Sequence, residues 1–115
     1  MEAREQYRIM LDTIAAKIFE KNINMMVPYY LMASFAYYKQ DDAIFTDGFF
    51  DDMGKTMLAC WDKIEHRHKE FSTKGDLEAG TFLGKYPTIV EGALASLRET
   101  YFTKAGTLRK NIKID

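Results

Sequence analysis

The sequence has one cysteine, almost no net charge and no long apolar run, and each absence excludes a class of protein. Cys60 has no second cysteine with which to form an internal disulfide. A formal net charge of −1 creates no overall field toward nucleic acid or an anionic membrane. No stretch approaches the roughly 20 apolar residues of a membrane span, and the charged start of the chain does not match a secretory signal. We therefore expect a cytoplasmic protein without a membrane partner.

Alternating strand patterns and a glycine-rich phosphate loop are also missing, whereas helical periodicity is strong. With 115 residues, 47% of them hydrophobic, the chain has the length of one compact domain. We predict an all-α fold, a small bundle of about four helices that forms a single domain over residues 1–115. Its features are a central helix hairpin at about 28–65, a glycine-containing loop before the last helix, and a basic, solvated tail at about 105–115.

The first two helices can be placed from their apolar residues. The first is amphipathic, ends near Asn22, and has an apolar stripe formed by Tyr7, Met10, Leu11, Ile14 and Ile18. The second begins between Asn24 and Pro28, since proline is tolerated in a first helical turn. It is apolar or aromatic nearly all round, which predicts a central, well-covered helix.

The third and fourth helices are indicated by their caps. Thr46 or Asp47 offers an N-cap for the third, which we expect to continue to Ile64 as the longest helix. Glycines and a proline interrupt residues 66–87, which predicts a loop. Thr88 and Glu91 then form a capping-box pattern at the start of the fourth helix, which should stop near residues 104–106. Its predicted apolar stripe consists of Val90, Ala93, Leu94, Leu97 and Tyr101.

The richest chemistry lies where the second and third helices meet. A helix hairpin would bring Tyr37 and Tyr38, at the end of one helix, beside Asp47, Phe50 and Asp51, at the start of the next. The last three are three and four residues apart and therefore share one helical face. Carboxylates accept hydrogen bonds and aromatic faces attract positive charge, so such a site suits a cationic or hydroxyl-bearing ligand. Core tyrosines and capping aspartates would give the same periodicity.

Other reactive side chains have simpler interpretations. The spacing of Met53, Met57 and Trp61 is what a core face requires, and Cys60 fits a packed thiol without a neighbouring base. His66 and His68 fit an exposed helix end, because no second cluster completes a metal coordination shell. We therefore predict no metal site and no catalytic residues.

The string YYKQDDAIFTDGFFD resembles the signature of the N-terminal Ia domain of NAD-dependent DNA ligases, and the resemblance covers about residues 29–65. In that family the Ia domain closes over the nicotinamide mononucleotide (NMN) half of NAD, while an adjoining domain carries the lysine nucleophile. By position, Tyr37 and Tyr38 match the family's tyrosine and histidine-or-tyrosine pair, and Asp47 and Asp51 match its two aspartates. Phe50 stands where the family has tyrosine. The resemblance implies that these five residues bind a nicotinamide nucleotide.

The sequence also departs from the ligases. Asp41 matches the aspartate of the family's Asp-x-Pro turn, but Ala43 replaces the proline. The nucleotidyltransferase motif Lys-x-Asp-Gly is missing, since KGDL at residues 74–77 ends in leucine. The chain is therefore not expected to be a ligase by itself. It is similar to small stand-alone ligase-A-related proteins of phages and prophages.

Three functions are compatible with these patterns. The first is a non-catalytic, Ia-like module that recognises the NMN moiety of NAD, as a phage or prophage accessory protein. The second is an interaction or counter-defence factor that binds a host enzyme through the aromatic hairpin surface. The third is an accessory to DNA replication or repair, although the basic face that direct nucleic-acid binding requires is largely missing.

Overall fold

Helices form the regular structure of the protein. The computed structural model describes residues 3–66, 69, 86 and 88–101. Its α-helices are α1 (Ala3–Lys21), α2 (Met26–Tyr38), α3 (Asp47–Ala59) and α4 (Ile89–Tyr101), with short 3₁₀ helices at Ile23–Met25 and Trp61–Lys63. These described residues contain no strand, and the predicted all-α fold is confirmed.

Helix α2 lies at the centre of the bundle, as its composition predicts. Eight of its 13 residues are buried. It packs against α3 and α4, and α1 contributes further side chains to the same core. Pro28 falls in the first turn, where its missing N–H breaks no intrahelical hydrogen bond. Before it, the Asn22 side chain accepts a hydrogen bond from the Asn24 N–H at 3.1 Å and caps the 3₁₀ turn that leads into α2.

Helix α1 buries a face slightly different from the predicted stripe. Leu11 and Ile14 are buried as expected, but Ala15 and Phe19 are buried as well. The other stripe residues, Tyr7, Met10 and Ile18, are half-buried. The Phe19 ring lies 5.7 Å from that of Tyr29 and 6.3 Å from that of Phe49, so it connects α1 with α2 and α3. These two contacts bury Phe19, so the buried face of α1 lies closer to Phe19 than the predicted stripe does.

The start of α3 is fixed by a hydrogen-bonded pair of side chains. Thr46 is the N-cap, since its Oγ1 accepts a hydrogen bond from the Phe49 N–H at 3.2 Å. The Asp12 carboxylate on α1 accepts two hydrogen bonds from the same residue, from the Thr46 N–H at 3.1 Å and from the hydroxyl at 2.6 Å. The predicted cap is thus confirmed, and α1 holds it in place.

The end of α3 differs from the prediction of a helix to Ile64. Helix α3 stops at Ala59 and has 13 residues, so it is shorter than α1 with 19. The physical reason is tertiary: Ile64 is buried in an extended conformation, with ψ 128°. The Glu65 N–H donates to the Asn24 side chain at 2.8 Å, and Lys69 Nζ donates to the Trp61 carbonyl at 2.6 Å. These contacts replace the last helical turns.

Helix α4 begins at Ile89, directly after Thr88, and buries the predicted Val90, Leu94 and Leu97. Its side chains pack on α2, whereas the predicted stop near residues 104–106 and the basic tail lie outside the described residues. Most of the predicted 66–87 loop also lies outside them. Within the described part of the chain, no helix has the length and apolar character needed to cross a membrane.

Replacing Thr46 with alanine should destabilise the protein by about 1–3 kcal/mol, because α3 loses its side-chain cap and the half-buried Asp12 carboxylate loses the hydrogen bond from the hydroxyl, while the backbone N–H of residue 46 still donates to it. The measurement is urea denaturation at neutral pH. Thr13→Ala is the matched control, since that exposed hydroxyl donates to the Ile9 carbonyl of its own helix. The control should change stability by less than about 0.5 kcal/mol. Equal effects of the two variants would contradict this account of the α3 start.

Candidate functional site

The α2–α3 hairpin brings all five predicted site residues to one cavity. We call this cavity the ring pocket. It has a volume of about 250 Å³ and is lined by Tyr30, Tyr37, Tyr38, Asp47, Phe50, Asp51 and Gly54. The tyrosine pair ends α2, and the aspartates and phenylalanine occupy the first turns of α3. The juxtaposition expected from the hairpin is therefore present, while the binding role of these residues stays a prediction.

Three aromatic rings form a stack along this pocket. Phe50 lies between Tyr30 and Tyr37, with ring centroids at 5.1 Å and 6.0 Å and interplanar angles of 19° and 21°. Tyr38 meets Tyr37 edge-to-face at 4.9 Å. Tyr30 is buried, but 42% of Tyr37 and 37% of Tyr38 are exposed. The stack thus has a buried end and a solvent-facing end, which are the two environments that a partly polar ring ligand needs.

Two lining residues were not among the predicted site residues, although helical spacing could have found them. Tyr30 lies seven residues before Tyr37, which places both on one face of α2. Gly54 lies three residues after Asp51 and occupies the same face of α3. Without a side chain, Gly54 leaves space beside Tyr30: a Cβ there would lie 3.5 Å from Tyr30 Cε1. A Cβ at this helical position would therefore occupy part of the pocket while making an ordinary contact with Tyr30.

A second cavity, which we call the polar cleft, shares Tyr37 and Asp47 with the ring pocket. Its volume is about 430 Å³, and its lining comprises Glu5, Arg8, Tyr37, Asp41, Ala43, Phe45, Thr46, Asp47 and Gly48. Residues from α1, from the loop between α2 and α3 (residues 39–46, the α2–α3 loop) and from the first turn of α3 meet there. Because two residues line both cavities, one ligand can contact both.

Two arginines, one on α1 and one on α4, bind the α2–α3 loop. Asp42 lies between Arg8 of α1, at 3.9 Å, and Arg98 of α4, at 3.4 Å. The guanidinium groups also donate to loop carbonyls, Arg8 Nε to Ala43 at 2.9 Å and Arg98 Nη2 to Asp42 at 2.8 Å. Charge-assisted hydrogen bonds from a rigid guanidinium restrain both position and orientation. The loop is therefore attached to both outer helices.

Asp41 adds a conformational constraint to the same loop. Its φ of 49° is in the left-handed region, which aspartate tolerates better than most residues with a side chain. The next N–H, that of Asp42, donates to the Ala36 carbonyl at 2.9 Å and satisfies an acceptor at the end of α2. The chain can therefore reverse here without the proline of the Asp-x-Pro pattern, since Ala43 is held by Arg8 instead.

The two pocket carboxylates have different environments. Asp51 pairs with Lys55 one turn later at 3.0 Å, and both side chains are mostly exposed. Such a surface pair is weak and screened by salt, so a ligand can compete for the carboxylate. Asp47 is exposed at the first position of α3, where the helix dipole favours its negative charge. Both carboxylates therefore lie at the surface of the pocket, where a ligand can reach them.

The other chemistry-bearing residues lie elsewhere. Met53 and Met57 are buried, and Cys60 and Trp61 are partly buried against the core, as their spacing predicts. His66 is half-buried rather than at an exposed helix end, and His68 lies outside the described residues. No group of three or more His, Cys, Asp or Glu side chains suited to a metal ion occurs among the residues that were described.

Compared with known proteins, the chain matches no protein-family model, no curated protein and no solved structure.

Asp12, which supports the start of α3, should make stability depend on pH. Burial raises the pKa of this carboxyl above the ordinary value of 3.8, although hydrogen bonds from Thr46 oppose the shift. Between the unfolded and folded pKa values the folded protein binds more protons, so stability falls as pH rises through that window. The stabilisation that comes from this shift is fully present below the pKa of Asp12 in the unfolded chain. It is lost above the pKa of Asp12 in the folded protein.

Asp12→Asn removes this titration. The free energy of unfolding of the variant, relative to the original protein, should therefore rise between about pH 3 and pH 7 in urea titrations. Asp52→Asn, an exposed aspartate on α3, corrects for the general effect of losing a carboxylate. A relative stability of Asp12→Asn that falls with pH would mean that Asp12 is stabilised as the anion, contrary to its burial.

Proposed function

We propose that the protein is a non-catalytic module that binds the nicotinamide-ribose part of a nicotinamide nucleotide, NMN or NAD, at the α2–α3 hairpin. The observation that carries the proposal is the convergence of Tyr37, Tyr38, Asp47, Phe50 and Asp51 on the ring pocket. These residues occupy the positions of the Ia signature of NAD-dependent DNA ligases, with Phe50 in place of its tyrosine. As a stand-alone Ia-like protein it would act as an accessory factor, such as phages and prophages encode.

The geometry of the stack restricts where a nicotinamide ring can lie. Tyr37 and Phe50 have ring centroids only 6.0 Å apart. A planar ring inserted between them needs about 7 Å, twice the optimal separation of carbon atoms. The ligand ring therefore packs on the exposed parts of Tyr37 and Tyr38 rather than between Tyr37 and Phe50. Asp47 and Asp51 then face the ribose hydroxyls or the cationic ring.

A free-standing module of this kind should bind weakly. Tyr37, Tyr38 and both pocket aspartates are substantially exposed, so a bound ring remains partly in water. Association must also offset the lost translational freedom of the ligand. A dissociation constant on the order of 1 mM, equivalent to about −4 kcal/mol, is expected for the isolated chain. A protein that supplies the adenylate half of the site would increase the affinity for NAD.

A second candidate function is favoured by the exposure of Tyr37 and Tyr38. Tyrosine is enriched at protein interfaces, and these two large side chains are adjacent on the surface at the end of α2. In this alternative the hairpin binds a host enzyme, as a counter-defence factor would, and the ring pocket is where an anchoring side chain docks. Ligand titrations separate the two functions, because only the first requires the nicotinamide ring.

NMN and NAD should perturb the amide and tyrosine NMR signals of residues 37–51, whereas adenosine monophosphate should not. Asp51→Ala should weaken NMN binding severalfold, since it removes a carboxylate from the pocket, with little change in stability because Asp51 is exposed. Asp52→Ala, the neighbouring aspartate that lines neither cavity, is the control. Absence of perturbation by NMN and NAD would refute the nicotinamide function.

Gly54→Ala should fill part of the pocket without harming the fold. Alanine in a helix interior is favoured over glycine by about 0.5–1 kcal/mol, and the new Cβ makes an ordinary contact with Tyr30. We expect a protein that is more stable in urea and binds NMN less tightly.

Gly92→Ala provides the matched control for this substitution. Gly92 is also helical, a Cβ there meets nothing within 4 Å, and it lines neither cavity. It should increase stability similarly and leave NMN binding unchanged. Equal NMN affinities of the two glycine variants would place the ligand away from the Tyr30 end of the ring pocket.

A further inference from the structure

Resting on the proposed function, we infer that the polar cleft is a second part of the ligand site and that it discriminates against phosphate. The two cavities together would favour a cationic aromatic nucleoside, such as nicotinamide riboside, over its 5′-phosphate NMN. Tyr37 and Asp47 line both cavities, so a ligand whose ring lies in the ring pocket can extend its ribose into the cleft.

The charge of the cleft is the first reason. Among the described residues that line it, the three acidic residues Glu5, Asp41 and Asp47 outnumber one arginine, Arg8, which gives these four residues a formal charge of −2. A phosphate monoester carries nearly two negative charges at neutral pH. The phosphate would therefore enter a cavity whose net charge has the same sign as its own. A pyridinium ring and neutral hydroxyl groups meet no such repulsion and find carboxylate oxygens as acceptors.

Two features attract anions and must be weighed against this charge. The N-terminus of α3 lies in the cleft, but its dipole corresponds to only about +0.5 of an elementary charge. Arg8 is already engaged: it pairs with Glu5 at 3.4 Å and donates to the Ala43 carbonyl at 2.9 Å. Binding a phosphate would compete with these contacts, which hold the α2–α3 loop. The negative charge of the three carboxylates therefore dominates.

The aromatic rings give the second reason. The exposed part of Tyr37 lies at the junction of the cavities, where a ring quadrupole attracts a cation. Asp47 lies at the same junction and adds a full negative charge. A cationic ring joined to a ribose satisfies both groups at once. This arrangement assigns the positive end of the ligand to the junction and its hydroxyl groups to the cleft.

The test compares nicotinamide riboside with NMN by NMR titration of the full chain at low ionic strength. Nicotinamide riboside should bind about fivefold more tightly, and the difference should shrink as sodium chloride is added. Asp41→Asn should lower the ratio of the two affinities toward one. Asparagine also tolerates the left-handed conformation of residue 41, so the loop is retained. Asp52→Asn, outside both cavities, should leave the ratio unchanged.

The outcomes separate this inference from the function on which it rests. Tighter binding of NMN than of nicotinamide riboside would overturn the discrimination against phosphate and leave the nicotinamide function intact. An unchanged ratio in Asp41→Asn would overturn the role of the cleft. If neither compound binds, the proposed function fails and the discrimination fails with it.

Discussion

The position of the α2–α3 loop depends on Asp42, which lies between Arg8 of α1 and Arg98 of α4. A loop without regular structure does not by itself fix the relative position of the two helices that it joins. Here its backbone carbonyls accept hydrogen bonds from arginines of both outer helices, and one carboxylate forms ion pairs with the same arginines. The Asp12–Thr46 pair fixes the start of α3. The tyrosines that end α2 consequently face the aspartates that begin α3. Both cavities exist because this loop is restrained.

Sequence periodicity predicts what is local in this fold and misses what connects distant segments. The central α2, the Thr46 cap and the buried stripe of α4 follow from neighbours in the chain, and the structure contains all three. The end of α3 could not be predicted in this way, because Ile64 is buried in an extended conformation and residue 65 bonds to Asn24. The Arg8–Asp42–Arg98 arrangement joins three segments far apart in sequence and leaves no periodic signal.

The candidate site was predictable to a similar extent. The five residues of the Ia-like string line one cavity, while Tyr30 and Gly54 complete it from the same helical faces. The stacking of Phe50 between Tyr30 and Tyr37 has no sequence signature, yet it decides which aromatic surfaces remain for a ligand. The described residues of the hairpin therefore combine stacked aromatic rings with two exposed carboxylates at one cavity.

The central claim is that a nicotinamide ring packs on the exposed aromatic surface of this hairpin. Intermolecular nuclear Overhauser effects between the ring protons of NMN and the protein test it most directly. The account predicts cross-peaks from the nicotinamide protons to the ring protons of Tyr37 and Tyr38, with none to the buried Leu31. Cross-peaks confined to residues outside the two cavities, at a ligand concentration that saturates the shift changes, would contradict it.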